Sequence, residues 1–121
     1  MILLLAAAAG GIGAVIRYLV TLAYGGRGNL PWAVFTVNVA GSALGGVAIG
    51  LATTGVINYD LRLILVGGVA GGLTTFSTWS VETIQLLMER KLRTALVSVI
   101  LNLAIGLAAA TAGYLIATIA S

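Results

Sequence analysis

The sequence contains no cysteine and no histidine, only one proline, and very little charge. Without cysteine and histidine the chain has no disulfide, thiol chemistry, Cys/His metal site or histidine acid–base catalysis, so a membrane enzyme is disfavoured. Charged residues make up 7% of the 121 residues, whereas a soluble domain carries about 25%. So few charged residues cannot supply the polar, water-exposed surface of a soluble globular domain.

What the chain has instead is long apolar runs. Hydrophobic residues make up 60% of it, and the mean hydropathy is +1.16. Each helical crossing of a bilayer takes about 20 apolar residues, so four crossings fill about 80 residues and leave about 40 for ends and turns. We therefore predict an all-α membrane protein with one four-helix domain over residues 1–121. Its transmembrane helices are expected at about 2–24, 32–53, 61–88 and 94–120, embedded in the lipid bilayer.

The net charge is +3, from six basic and three acidic residues. We interpret it as loop charge that faces anionic headgroups, and we expect no nucleic-acid partner. One predicted side of the membrane carries Arg27, Arg90, Lys91 and Arg93, and the other carries Arg62. The positive-inside rule then places the first and third loops in the cytoplasm.

The third apolar run has four glycines and a cluster of hydroxyls at mid-membrane depth. Spacings such as Gly68-x-x-x-Gly72 are typical of close helix packing, and similar pairs occur in the second run, for example Gly46-x-x-x-Gly50. The glycines before Phe76 also suit a broken helix, whose freed carbonyls could hold a hard cation. The sequence alone leaves both possibilities open.

Polar groups on several predicted spans indicate the wall of a polar path. Asn38 and Ser42 share one face of the second helix, and Asn102 lies on the fourth. Amides and hydroxyls donate to an anion, and the edges of Phe76 and Trp79 carry partial positive charge. A cation path usually shows carboxylates or carbonyl rings, so the wall favours an anion, although the two rings could also be ordinary packing aromatics.

Apart from Arg62, which is counted with the second loop, Arg17 and Glu82 are the charges within the predicted spans. Each lies within about two turns of a loop, so we expect them to snorkel toward the membrane surface. A mutual ion pair is the alternative.

Three motifs make the chain resemble the Fluc (CrcB-type) fluoride channels. They are Gly10-Gly-Ile-Gly-Ala-Val-Ile-Arg17-Tyr18, Thr36-Val-Asn38-Val-Ala-Gly41-Ser-Ala-Leu-Gly45 and Gly71-Gly-Leu-Thr-Thr-Phe-Ser-Thr-Trp-Ser-Val-Glu82. This resemblance implies a passive, selective fluoride exporter in a prokaryotic plasma or inner membrane. It also implies a third helix broken at mid-membrane, an antiparallel (dual-topology) homodimer with two pores, and a structural sodium ion at the centre of that dimer.

The resemblance also implies roles for individual residues. The anion pathway falls on Asn38, Phe76, Ser77, Thr78, Trp79 and Asn102. The backbone carbonyls that hold sodium fall on Gly71 and Thr74. The arginine and glutamate of the motif, at the vestibule or in the structure, fall on Arg17 and Glu82.

Two features depart from that family pattern. Trp79 stands where the family usually has phenylalanine, which adds an N–H donor and bulk. The four-to-one basic asymmetry exceeds what dual insertion favours, so the partner could be an oppositely oriented paralogue.

A small multidrug-type, proton-coupled cation exporter is the main alternative function. That chemistry needs a carboxylate in the substrate cavity, but the first helix has no acid and Glu82 lies near the end of its span. A non-transporting assembly subunit would leave the polar cluster unexplained.

Overall fold

The computed structural model describes residues 1–24 and 31–121, and every regular element in these ranges is helical. Four helices are long and apolar enough to cross a membrane: Ile2–Tyr24, Trp32–Thr53, Tyr59–Met88 and Leu92–Ala120. The first two are α1 and α2. The third span consists of α3 (Tyr59–Arg62), a π-helical segment (Leu63–Ala70), α4 (Gly71–Leu73) and α5 (Phe76–Met88), and the fourth is α6.

The helix bounds agree with the sequence-based bounds for α1 and α2 and differ slightly for the other two spans. The third span begins at Tyr59, two residues early, because the Asn58 side chain accepts a hydrogen bond from the Leu61 N–H at 2.9 Å and caps the helix. The fourth begins at Leu92 because the preceding turn takes only residues 89–91. Arg27, which enters the predicted charge asymmetry, lies outside the described residues.

The third span is interrupted at residues 74–75. Thr74 and Thr75 have extended backbone conformations, with ψ of 156° and 117°. Ahead of this break the N–H of Gly71 donates to the Val66 carbonyl five residues back, as in a π-helix. The predicted break is therefore present, whereas the π-helical segment was not anticipated.

The glycines also pack helices closely, so both interpretations of the glycine-rich run hold. A Cβ built on Gly72 would meet the backbone of Gly10 on α1, within 2.8 Å of its carbonyl carbon. On α2, a Cβ on Gly46 would lie 2.8 Å from the carbonyl carbon of Ala110 on α6. Glycine allows these backbones to touch, and the seams bring α1 against the third span and α2 against α6.

The helices α2 and α5 each end in the same type of hydrogen-bonded turn, in which one residue has a positive φ. That residue is a glycine in one turn and an arginine in the other. At the end of α2, Gly55 has φ of 77°, and the Val56 N–H donates to the Leu51 carbonyl at 2.9 Å. At the end of α5, Arg90 takes that position with φ of 60°, and the Lys91 N–H donates to Leu86. Glycine adopts this conformation without cost, whereas a residue with a Cβ does not.

We expect Arg90→Gly to stabilise the folded chain by about 1 kcal/mol, because it relieves the left-handed strain. Reversible unfolding in mixed detergent micelles measures the change. Arg93→Gly is the matched control, since Arg93 lies inside α6, and a glycine there should destabilise by about 1 kcal/mol. A loss of stability in Arg90→Gly would show that its side chain makes a contact worth more than the strain.

Candidate functional site

The site is built around the break in the third span, and Asn38 of α2 holds that break open. Its Oδ1 accepts a hydrogen bond from the Thr75 N–H at 2.8 Å, and its Nδ2 donates to the Thr75 carbonyl at 3.4 Å. In an uninterrupted helix the Thr75 N–H would donate to the carbonyl of Gly71. The Asn38 amide therefore replaces a helical partner and stabilises the extended backbone.

A second amide extends this network to α6. Asn38 Nδ2 also donates to Asn102 Oδ1 at 3.2 Å, and Asn102 Nδ2 donates to the Ser98 carbonyl at 2.9 Å. Asn102 is only 8% exposed. The two predicted pathway asparagines are thus in direct contact. The backbone of Thr75 orients the Asn38 amide, and the Ser98 carbonyl, one turn earlier on α6, orients the Asn102 amide.

Four of the predicted pathway residues line one open groove of about 280 Å³, which we call the amide groove. Phe76 and Trp79 stand edge to face on its wall, with ring centroids 5.7 Å apart and an interplanar angle of 70°. None of the lining residues is acidic; they are Asn38, Ser42, Thr74, Thr75, Phe76, Trp79, Asn102 and Leu103. The groove therefore offers amide and hydroxyl groups and two aromatic rings, and it presents no carboxylate.

A second space of about 310 Å³, the arginine cavity, shares Thr75 with the amide groove. Its lining residues are Ala14, Arg17, Tyr18, Thr21, Val34, Val37, Thr75 and Thr78. Thr75 is 5% exposed and belongs to both spaces. Its hydroxyl accepts from the Thr78 N–H at 3.1 Å and lies 3.3 Å from the Ser77 hydroxyl, so Ser77 and Thr78 adjoin the break.

Arg17 points into this site and not away from it. Its guanidinium donates to the Thr74 carbonyl at 3.4 Å, across 57 positions of sequence. The expectation that Arg17 snorkels to the membrane surface is thus not what the structure shows. In the described part of the chain the one ion pair joins Lys91 and Glu89, so Arg17 and Glu82 do not pair.

Glu82 lies one turn beyond Trp79 on α5 and lines neither the amide groove nor the arginine cavity. Its Oε2 is buried and has no hydrogen-bond partner among the described residues. The same holds for the indole Nε1 of Trp79. The structure therefore places Glu82 next to the groove wall but not in the groove.

The break supplies carbonyl oxygens that suit a hard cation. The Thr74 carbonyl faces Arg17, and the Gly71 carbonyl has lost the Thr75 N–H to Asn38. Across residues 1–24 and 31–121 no group of three or more His, Cys, Asp or Glu could hold a metal ion. The backbone oxygens of the break are therefore candidate ligands for a hard cation.

A family model described as "CrcB-like protein, Camphor Resistance (CrcB)" matches residues 4–114. The chain belongs to this CrcB-like family. The match includes every residue of the amide groove and of the arginine cavity. With its four membrane-capable helices, the chain is a multi-pass membrane protein.

Two of the similar relatives are named "Fluoride-specific ion channel FluC" and a third "Fluoride-specific ion channel FluC 2". The one from Phocaeicola vulgatus is 48% identical over 87 residues, which is 70% of this chain and 72% of the relative. The one from Thermus thermophilus is 40% identical over 113 residues, 92% of this chain and 90% of the relative. "Fluoride-specific ion channel FluC 2" of Mycobacterium bovis is 40% identical over 112 residues, 91% of this chain and 86% of the relative.

Thr75 belongs to the hydroxyl cluster of the third run but is not among the anion-pathway residues that the resemblance implies. Its backbone pairs with Asn38, its hydroxyl caps α5, and its side chain borders both spaces. The local sequence did contain one signal, because a threonine directly before a helical run is a favourable N-cap. The pairing with Asn38 had no local signal, since the two residues are 37 positions apart.

Proposed function

We propose that this protein is a passive, fluoride-selective channel that exports fluoride from the cytoplasm across a prokaryotic plasma membrane. The proposal is supported mainly by the amide groove, which presents donors and ring edges without a carboxylate at the depth of a helix break. The printed names of the relatives agree with it. A proton-coupled cation exporter would need an acidic group in that groove.

The donors of Asn38 are well suited to an anion because the protein holds them weakly. Its Nδ2 contacts, at 3.2 and 3.4 Å, are at or beyond the long end of the usual range for N–H···O hydrogen bonds. Hydrogen bonds to an ion are about twice as strong as those between neutral groups. A fluoride ion can therefore draw an Asn38 amide hydrogen away from Asn102 Oδ1 or from the Thr75 carbonyl. The Oδ1 of Asn38 meanwhile stays fixed by the Thr75 N–H.

Selectivity follows from the cost of dehydration. A bare small anion in a low-dielectric medium would cost tens of kcal/mol unless protein donors replace its water. In our proposal the ion enters from water, loses its shell stepwise to Asn38, to hydroxyls and to the edges of Phe76 and Trp79, and leaves down its electrochemical gradient. The closely spaced donors suit fluoride, whereas chloride is too large to be held by them equally well.

The shape of the groove favours a second subunit. It is open on the surface of the chain, and Phe76 on its wall is 75% exposed. Exposure of polar amides to the lipid hydrocarbon is unfavourable, because lipid tails offer them no hydrogen bonds. We propose that an antiparallel copy of this chain, or an oppositely oriented paralogue, covers the groove and completes two pores at the interface.

A sodium ion fits the same arrangement as a structural cofactor. The carbonyls of Gly71 and Thr74 from the two subunits would hold it, and it would offset the negative ends of the two interrupted helices. Arg17 already donates to the Thr74 carbonyl, so it shares this neutralising role.

Ion efflux from liposomes that contain the purified protein tests the proposed function. We expect voltage-driven fluoride efflux without proton coupling, and chloride efflux no faster than from empty vesicles. Equal fluoride and chloride rates would contradict the proposal, and so would drug-for-proton exchange.

We expect Trp79→Phe to keep fluoride-selective conduction, because phenylalanine presents the same kind of ring edge to the groove. An aromatic contact of this kind is worth about 0.5–1.5 kcal/mol, so the rate should fall by about tenfold or less. The same efflux assay measures it, with chloride as the reference anion. A variant with no fluoride flux would show that Trp79 has an indispensable role beyond its ring edge.

A further inference from the structure

Trp79 and Glu82 carry complementary buried atoms that lack partners. Within residues 1–24 and 31–121, three buried side-chain atoms have no hydrogen bond: Trp79 Nε1, Glu82 Oε2 and Ser98 Oγ. An indole N–H can only donate, and an ionised carboxylate can only accept. Leaving either one buried and unpaired is unfavourable, and joining the two removes both deficits.

Their spacing on α5 allows this pairing. Residues three apart on a helix lie on the same face, with Cβ atoms about 5–6 Å apart. The two atoms are not hydrogen-bonded in the structure; a rotation of the Glu82 side chain, or one ordered water between the two groups, would connect Nε1–H to Oε2.

No other described group neutralises Glu82. Arg17, the basic residue of α1, donates to the Thr74 carbonyl. The helix packed against α5 is α6, whose charged residue is Arg93 in its first turn. Trp79 is thus the unpaired donor nearest to Glu82 along the chain.

The position of the pair gives this hydrogen bond a function. Trp79 lines the amide groove and Glu82 does not. A carboxylate that turned into the groove would repel an anion there, since like charges interact strongly in a poorly screened site. We propose that Trp79 is a positioning residue whose indole N–H holds the Glu82 carboxylate away from the amide groove. This inference rests on the proposed anion-channel function.

A double-mutant cycle on fluoride efflux tests it, with the wild type, Trp79→Phe, Glu82→Gln and the double variant in the same liposomes. With Glu82 present, Trp79→Phe should lower the rate about three- to tenfold, because the released carboxylate faces the anion. In the Glu82→Gln background the same substitution should lower the rate by a clearly smaller factor, because the charge is gone and only the change of ring remains. An equal reduction in both backgrounds would overturn the inference.

Ser98→Ala provides the matched control. It removes the third buried unpartnered atom, which lies on α6 beside a small cavity lined by Trp32 and Phe35 but not by Trp79 or Glu82. Its effect should be the same with Trp79 and in the Trp79→Phe variant. Coupling as large as that of Glu82 would show that the cycle reports general packing, which would overturn the proposed positioning.

Fluorescence gives a readout that needs neither transport nor a change at Trp79. In a Trp32→Phe background Trp79 is the sole tryptophan. Glu82→Gln should then shift its emission maximum, and Ser98→Ala should not. An unchanged emission in Glu82→Gln would exclude a charged carboxylate beside the indole and overturn the inference, whereas a shift in a protein that does not conduct fluoride would retain the pair and refute the channel.

Discussion

Fluoride efflux should fall at least about 100-fold when Asn38 is replaced by aspartate. A carboxylate at this position can still accept the Thr75 N–H, so the extended backbone keeps its main partner. It cannot supply the two Nδ2 donors that now reach the Thr75 carbonyl and Asn102. Two unit charges 4 Å apart repel by about 4 kcal/mol at an effective dielectric constant of 20, so a negative charge there also opposes entry of an anion.

The control for this variant is Asn58→Asp. Asn58 caps α3 by accepting from the Leu61 N–H, and aspartate is an equally good N-cap, so folding and efflux should be preserved. Both proteins are compared by their elution in detergent and by their efflux rates in liposomes. Wild-type efflux from Asn38→Asp would remove Asn38 from the anion pathway and with it the central element of the proposed function.

The second large effect is expected from Gly46→Ala, which should destabilise the folded chain by about 3 kcal/mol or more. A Cβ at Gly46 would collide with the backbone of Ala110, 2.8 Å from its carbonyl carbon and 3.0 Å from its Cα. Backbone atoms cannot move aside as a side chain can, so α2 and α6 must separate. Overpacking usually costs about 1–3 kcal/mol, and this site has no flexible neighbour to absorb it.

The adjacent residue provides the control. A Cβ on Gly45 meets nothing within 4 Å, so Gly45→Ala should be neutral or stabilise by up to about 1 kcal/mol through helix propensity. Unfolding of the two variants in mixed micelles with increasing SDS, followed by circular dichroism, gives the difference. Equal stability of Gly46→Ala and Gly45→Ala would mean that the α2–α6 contact is looser than the structure shows.

Sequence patterns were sufficient for the membrane spans because a bilayer imposes length and hydropathy directly. Local sequence patterns could not decide the backbone conformation at the break in the third span. The glycines before Phe76 fitted both close packing and unwinding, and the structure uses Gly72 for the first and residues 74–75 for the second. Choosing between them needed the contact of Asn38 with Thr75, a long-range pairing that no helical periodicity contains.

The direction of a side chain was the other feature that the sequence did not predict. Position in the sequence put Arg17 near the end of its span, which favours the membrane surface, but the guanidinium contacts the Thr74 carbonyl. The predicted pathway residues Asn38, Phe76, Trp79 and Asn102 do meet in one groove, because they share faces that periodicity can identify. Their role in carrying an anion stays a prediction until efflux is measured.

Thr75 borders both the amide groove and the arginine cavity, and this placement couples the dimensions of two compartments. A change in the size of this residue would therefore alter the dimensions of both spaces at once. Substitutions at Thr75 therefore alter capture and transit together, so rate and affinity measured on such variants would not be independent.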